Sequence, residues 1–183
     1  MEETANHNLE LSALNQRARS CMEKGDLQGA LDLTAMILEK IGTKDRETRA
    51  NILSNQGLLQ TGLKGFTEAL ESFKEASELF GAEGNRAAVA VQQGNMGSVY
   101  RDQGEHGLSL DCYLEALGIM EELDHKPGIA DQHGNIGYAY SQTGELQKGI
   151  AHFSKAEELY LNMGEDKRAG RCRQSIEALE AEL

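Results

Sequence analysis

The sequence predicts an all-α protein built from antiparallel helix pairs, and three observations carry that prediction. The chain repeats itself at a step of about 40 residues, so that GNMGSVYRDQGE (94–105) lies on GNIGYAYSQTGE (134–145). Within each copy the apolar residues recur at spacings of three and four. Ala69, Phe73, Ala76 and Leu79 do so, as do Ile150, Phe153, Ala156 and Leu159, and this makes one stripe along a helix rather than the alternation of a strand. The single proline, Pro127, leaves long helices unbroken elsewhere.

The reading places helices at 7–24, 27–41, 44–62, 66–80, 85–103, 106–122, 127–143, 146–163 and 166–182. The first ends at Gly25-Asp26, where a glycine closes one helix and an acid opens the next. This copy steps by 39 rather than 40, with Ala18 and Ala30 in the register of Gly57 and Ala69. Gly42 closes the second helix. The third carries Asn55 and Gly57 in the register of Asn95 and Gly97, but its turn, TGLKGF (61–66), has displaced glycines. The fourth bears the stripe from Ala69 to Leu79 and reaches Gly81. Gly104-Glu105 separates the fifth from the sixth, which carries Tyr113, Ala116 and Ile119. Pro127 opens the seventh, where its missing N–H is harmless. Gly144-Glu145 turns the chain into the eighth, and Gly164 precedes the ninth, whose sequence DKRAGRCRQSIEALEAEL is polar enough to cover a terminal stripe.

Gly57, Gly97 and Gly137 sit in mid-helix, where glycine costs about 1 kcal/mol relative to alanine. Close helix crossing accounts for them, with small Ala30, Ala69 and Ala76 at facing positions and aromatic rings filling the wider gaps. The expected organisation is a flexible tail over 1–6 and one array over 7–183. Its repeats span 7–43, 44–83, 84–123 and 124–163, and a capping helix spans 166–182.

Composition narrows the function. A formal net charge of −12 and no basic run exclude a nucleic-acid surface, which needs cations to release counterions. No apolar run approaches a membrane span, so no membrane insertion is expected. Three cysteines, Cys21, Cys112 and Cys172, lie far apart and form no disulfide framework. With a polar, acidic N-terminus, MEETANHNLE, they point to a reducing, cytoplasmic setting.

The pattern N-x-G-x-x-Y-x-x-x-G-E at 95–105 and 135–145, each followed by the Ala–Phe/Tyr–Ala stripe, resembles the tetratricopeptide repeat over about 11–183. The step of about 40 residues is similar to the longer-helix variety, as in kinesin light chain and Pins-type adaptors. Ser109 and Gly149 stand where that family usually has Ala, and Thr34 and Ile37 replace its aromatic and Ala in the first copy. The resemblance implies a right-handed superhelical solenoid of four such repeats plus a capping helix, with a concave face built mainly from the first helix of each pair.

Asn55, Asn95 and Asn135 recur at one helical position, with Asn15 one residue out of register. Asparagine is a mediocre helix former. The column therefore serves either hydrogen bonds within each repeat or, as the resemblance implies, recognition of an extended peptide's backbone. A side-chain amide offers donor and acceptor for a peptide unit. Residues one helical turn away share that face: Arg19, Asn51, Leu58, Val91, Ser98, Arg101, Asp131, Tyr138, Arg171 and Gln174. The family's carboxylate clamp is matched only at Arg171, because Val91 and Asp131 stand in columns where it has a base.

Catalytic signatures are missing: no G-x-x-x-x-G-K-[ST], no H-E-x-x-H and no G-x-S-x-G. His7, His106, His125, His133 and His152 are scattered, and none places a second His or Cys on its own helical turn as a metal site would require. Glu121-Glu122 and Glu157-Glu158 read as solvated faces, and Cys172, between Arg171 and Arg173, reads as packing. The expectation is a non-enzymatic scaffold without cofactor or metal that binds a protein or peptide partner. Its alternatives are a homo-oligomer stacking through its terminal repeats and a regulatory module of a separate enzyme.

Overall fold

The structure, a computed structural model, describes residues 2–42 and 45–183, with side chains from residue 9 onward. Helices account for the described residues: α1 (Glu2–Glu23), α2 (Leu27–Ile41), α3 (Arg46–Gly62), α4 (Phe66–Ala82), α5 (Arg86–Asp102), α6 (His106–Glu122), α7 (Lys126–Gln142), α8 (Leu146–Asn162) and α9 (Asp166–Glu180). The nine expected helices are all there, with ends displaced by at most two residues except at the start of α1, which is helical from Glu2. The side chains of the expected tail and His7, and the expected start of the third helix at 44, lie outside the described residues. No helix among the described residues is long and apolar enough to cross a membrane.

The chain divides into two compact units, 1–85 and 86–183. In the first, α1 pairs with α2, α3 with α4, and α2 packs on α3. Leu14 and Ala18 of α1, Leu33 and Ile37 of α2 and Ile52 of α3 form its first core. Ile37, where the resemblance implies a small alanine, is 1% exposed and so fills its site. Arg49 of α3 holds Glu75 of α4 at 2.8 Å.

In the second unit α5 pairs with α6, α7 with α8, and α9 packs on α8. One core joins Ala90, Tyr113, Ala116, Met120 and Ile136; another joins Ala130, Phe153, Ala156, Tyr160 and Ala169. α6 packs on α7, so the hairpins of this unit stack in chain order.

The mid-helix glycines pack against the aromatic of the stripe. A Cβ on Gly57 would lie 2.5 Å from Phe73 Cε1, one on Gly97 2.7 Å from Tyr113 Cε1, and one on Gly137 3.0 Å from Phe153 Cδ1. Each ring thus lies flat on the glycine of its own pair rather than in a gap between layers. Pro127 stands in the first turn of α7, as expected.

The hairpin turns share one cap. After α5, the Gly104 N–H reaches Arg101 O at 2.9 Å and the Glu105 N–H reaches Tyr100 O at 2.9 Å. This crossed pair needs a left-handed residue at Gly104, where φ is +81°. The same cap after α3 puts Lys64, not Gly65, at the left-handed position, with φ +63°.

Candidate functional site

In the second unit the first helices of the pairs, α5 and α7, together with α9, line one groove of about 470 Å³. Val91, Asn95 and Ser98 reach it from α5 at helical spacing. Asp131, Gln132 and Asn135 reach it from α7, and Arg168, Arg171 and Cys172 from α9. Phe153 and Tyr160 of α8 supply apolar surface.

The charges in the groove are unequally satisfied. Asp131 Oδ1 accepts from the Tyr160 hydroxyl at 2.6 Å and from Arg168 Nη1 at 2.9 Å. The Arg168 guanidinium also lies 5.5 Å from the centroid of the Tyr160 ring. Burial, and then the hydrogen bond to Asp131, push the Tyr160 phenol well above its ordinary range, so it acts as a neutral donor. Asp131 is thereby neutralised within the protein. Arg171, exposed on α9, has no ion-pair partner among the described residues. The groove is cationic inside a chain of net charge −12. Burial, together with Glu157, raises the Cys172 thiol, which favours the packing role over a reactive one.

Amides are the other polar groups. Asn95 Nδ2 lies 3.4 Å from Gln92 Oε1 and Asn135 Nδ2 lies 3.4 Å from Gln132 Oε1, each within its own helix. These contacts are long for hydrogen bonds. Gln92 is 2% and Gln132 6% exposed. Gln92 Nε2 turns back to Ala88 O at 3.3 Å, whereas Gln132 Nε2 has no acceptor among the described residues and belongs to the groove. The Gln132 amide nitrogen is open to solvent in the groove.

The sequence-derived face is distributed as follows. In the first unit Arg19, Asn51, Asn55 and Leu58 are all exposed, and Asn51 Nδ2 donates to its own helix at Glu47 O, 3.0 Å away. In the second unit Asn95, Asn135 and Arg171 meet in the groove with Val91, Ser98 and Asp131. Arg101 and Tyr138 do not line it. Arg101 instead binds Asp102 at 2.8 Å and stacks on Tyr138, with its guanidinium carbon 5.5 Å from the ring centroid. Gln174 is exposed and outside the groove lining.

Two features escaped sequence reasoning. One is the glutamine column, whose signal was Q-x-G-N occurring at both 92–95 and 132–135. The other is a histidine pair across α7 and α8, with His133 Nδ1 3.0 Å from His152 Nδ1. Burial first, then His152 and Lys155, lower the His133 pKa to about 4. His125 caps α7, its Nδ1 accepting the Gly128 N–H at 3.0 Å. Among the described residues no group of three or more His, Cys, Asp or Glu is placed to hold a metal ion.

Residues 85–162, covering α5 to α8, match a family model described as tetratricopeptide repeat. Comparison with curated proteins finds no match. Among solved structures the chain is similar to the apo form of RapI, with a TM-score of 0.81 and 18% identity over 95% of this chain and 49% of that one. The chain therefore spans about half the length of that protein. It is also similar to BtubC (BKLC) from P. vanneervenii, with a TM-score of 0.70 and 16% identity over 98% of this chain and 83% of that one. At these identities the likenesses speak to the fold.

Proposed function

We propose that this chain, a tetratricopeptide-repeat protein, is a non-catalytic cytoplasmic scaffold that binds an extended peptide or partner segment in the groove of its second unit. The observation that carries the reading is the meeting of Asn95 and Asn135 with Arg171 in one groove of about 470 Å³. Both asparagine amides keep hydrogen-bonding capacity beyond their long contacts to Gln92 and Gln132. Helices pack about 8–10 Å apart and an extended strand rises about 3.3 Å per residue, so one asparagine serves about every third peptide residue. In the first unit Asn55, Arg19, Asn51 and Leu58 are each exposed as well.

Changing Asn95 and Asn135 together to Ala tests the reading. The double variant, shown by circular dichroism to be folded, is expected to retain far less partner in a pull-down from cell extract. Undiminished retention by a folded double variant removes the groove assignment.

A further inference from the structure

We propose that Gln132 takes the ligand's main chain at the floor of this groove, and that the ligand is an extended segment with an internal acidic side chain received by Arg171. The inference rests on the groove being the peptide site. Gln132 is 6% exposed and opens an amide donor, without an acceptor among the described residues, into the groove. Helix packing does not demand a glutamine here. Ile52, the residue at this register in α3, is also 6% exposed, so an aliphatic side chain suits the position. Gln92, at the same register in α5, returns its donor to its own helix. Of these two glutamines, Gln132 is the one that lines the groove.

The neighbouring backbone is cleared for an approaching chain. A Cβ on Gly94 of α5 would lie 3.0 Å from Gln132 Nε2 and 3.3 Å from its Oε1, so the Gln132 amide rests on the Gly94 backbone, which fixes its place at the groove. A Cβ on Gly134 would meet nothing within 4 Å, so no packing in the protein calls for glycine there, yet Gly134 lines the groove. An incoming main chain supplies what Gln132 lacks, a carbonyl acceptor, and needs the room that Gly134 leaves.

Charge selects the side chain. Asp131 is already engaged through Oδ1 by Tyr160 and Arg168, whereas Arg171 has no ion-pair partner among the described residues. A single guanidinium grips one carboxylate through two parallel hydrogen bonds. A chain terminus held by several cations would need bases at Val91 and Asp131, where the groove has an apolar residue and a neutralised acid. An internal Asp or Glu fits better.

The probe is a pool of synthetic peptides, acetylated and amidated at their ends, with Glu fixed at the centre and the other positions randomised. A second pool has Gln at the centre, and a third has Glu with a free C-terminal carboxylate. The full chain selects from each pool, retained peptides are read by mass spectrometry, and the best binder is titrated. The expected result is preference for the capped Glu pool over the Gln pool, lost in Arg171→Gln. Gln132→Met is expected to weaken the selected peptide by about tenfold, the worth of one buried hydrogen bond, while melting at or above the wild-type temperature. Gln132→Ile is the second variant should Met alter folding. Wild-type affinity in a folded Gln132 variant overturns the proposal, as does a loss of affinity matched by a loss of thermal stability in both. Preference for the free-carboxylate pool overturns the internal acid. If Asn95→Ala/Asn135→Ala abolishes binding and Gln132→Met does not, the groove reading stands and this inference falls. If wild type retains nothing from any pool, both fall.

Discussion

Two glycine-to-alanine changes in the same unit have opposite expected signs. At Gly97 the new methyl would lie 2.7 Å from Tyr113 Cε1, 2.8 Å from its Cδ1 and 3.2 Å from Cys112 Cβ. Carbon pairs rest at about 3.5–4.0 Å, so the ring would have to retreat by most of an ångström. It has nowhere to go, because Tyr113 is 0% exposed and its hydroxyl is 3.1 Å from Ser98 Oγ on the helix it would retreat from. Overpacking of this kind costs about 1–3 kcal/mol, and the pinned ring puts it in the upper part of that range. Alanine returns about 1 kcal/mol of helix propensity, which leaves a net loss of about 1–2 kcal/mol. At Gly134 the methyl meets nothing within 4 Å, and the same propensity becomes a gain of about 0.5–1 kcal/mol. For a chain of this size, 1 kcal/mol shifts the melting temperature by about 2–4 °C. Urea titration and thermal melts followed at 222 nm should place Gly97→Ala below the wild type and Gly134→Ala at or above it. A Gly97→Ala protein as stable as the wild type would refute the close-crossing account of all three mid-helix glycines.

Other expectations follow from single sites. Lys64 holds a left-handed φ of +63°, which costs a residue with a Cβ about 1–2 kcal/mol. Part of that is returned through the unfolded chain when glycine is introduced, so Lys64→Gly is expected to raise stability by about 0.5–1 kcal/mol; an unchanged or lower urea midpoint contradicts the cap geometry. His133 titrates near 6.5 when unfolded and at about 4 when folded. The unfolded chain therefore binds more protons as pH falls, and the contribution of neutral His133 is complete above about pH 6.5 and lost down to about pH 4. At 1.36 kcal/mol per unit it is at most about 3 kcal/mol. His133→Gln, which installs the residue found at position 93 in the α5–α6 pair, should flatten the fall in stability between pH 7 and 4. An acid loss equal to that of the wild type rules out His133 as its source.

The fold was legible because backbone crossings repeat. A helix that must lie flat on an aromatic ring has no room for a Cβ, so glycine recurs at 57, 97 and 137, and the turns recur with it. Lys64 shows the limit of that logic. The cap fixes which position is left-handed, and at 61–66 the glycine stands one residue late, so the strain shows only in the folded chain. The His133–His152 contact was hidden for a different reason: the two rings lie 19 residues apart in sequence, and their meeting depends on how far α8 slides along α7. Periodicity within one helix carries no information about that slide.

The groove was half legible, and the missing half follows from how exposure is guessed. A glutamine in a helix reads as a solvated residue, so a buried one is invisible until its neighbours are placed. Yet α7 puts three residues in one stretch of the groove that its own packing leaves with unused capacity or space. Gln132 keeps an amide donor without an acceptor among the described residues, Gly134 gives up helix propensity without a packing neighbour, and Asn135 is a mediocre helix former with only a contact of 3.4 Å in return. Two other glycines of the same helix do have packing reasons: a Cβ on Gly137 would lie 3.0 Å from Phe153 Cδ1, and one on Gly128 2.5 Å from Met120 Sδ. A helix that needed only to pack would place its costly residues where contacts repay them. On α7 they gather instead where the protein leaves space. An occupant that supplies a carbonyl to Gln132, fills the room over Gly134 and bonds Asn135 accounts for all three together, whereas packing within the protein explains only how Gln132 rests on Gly94.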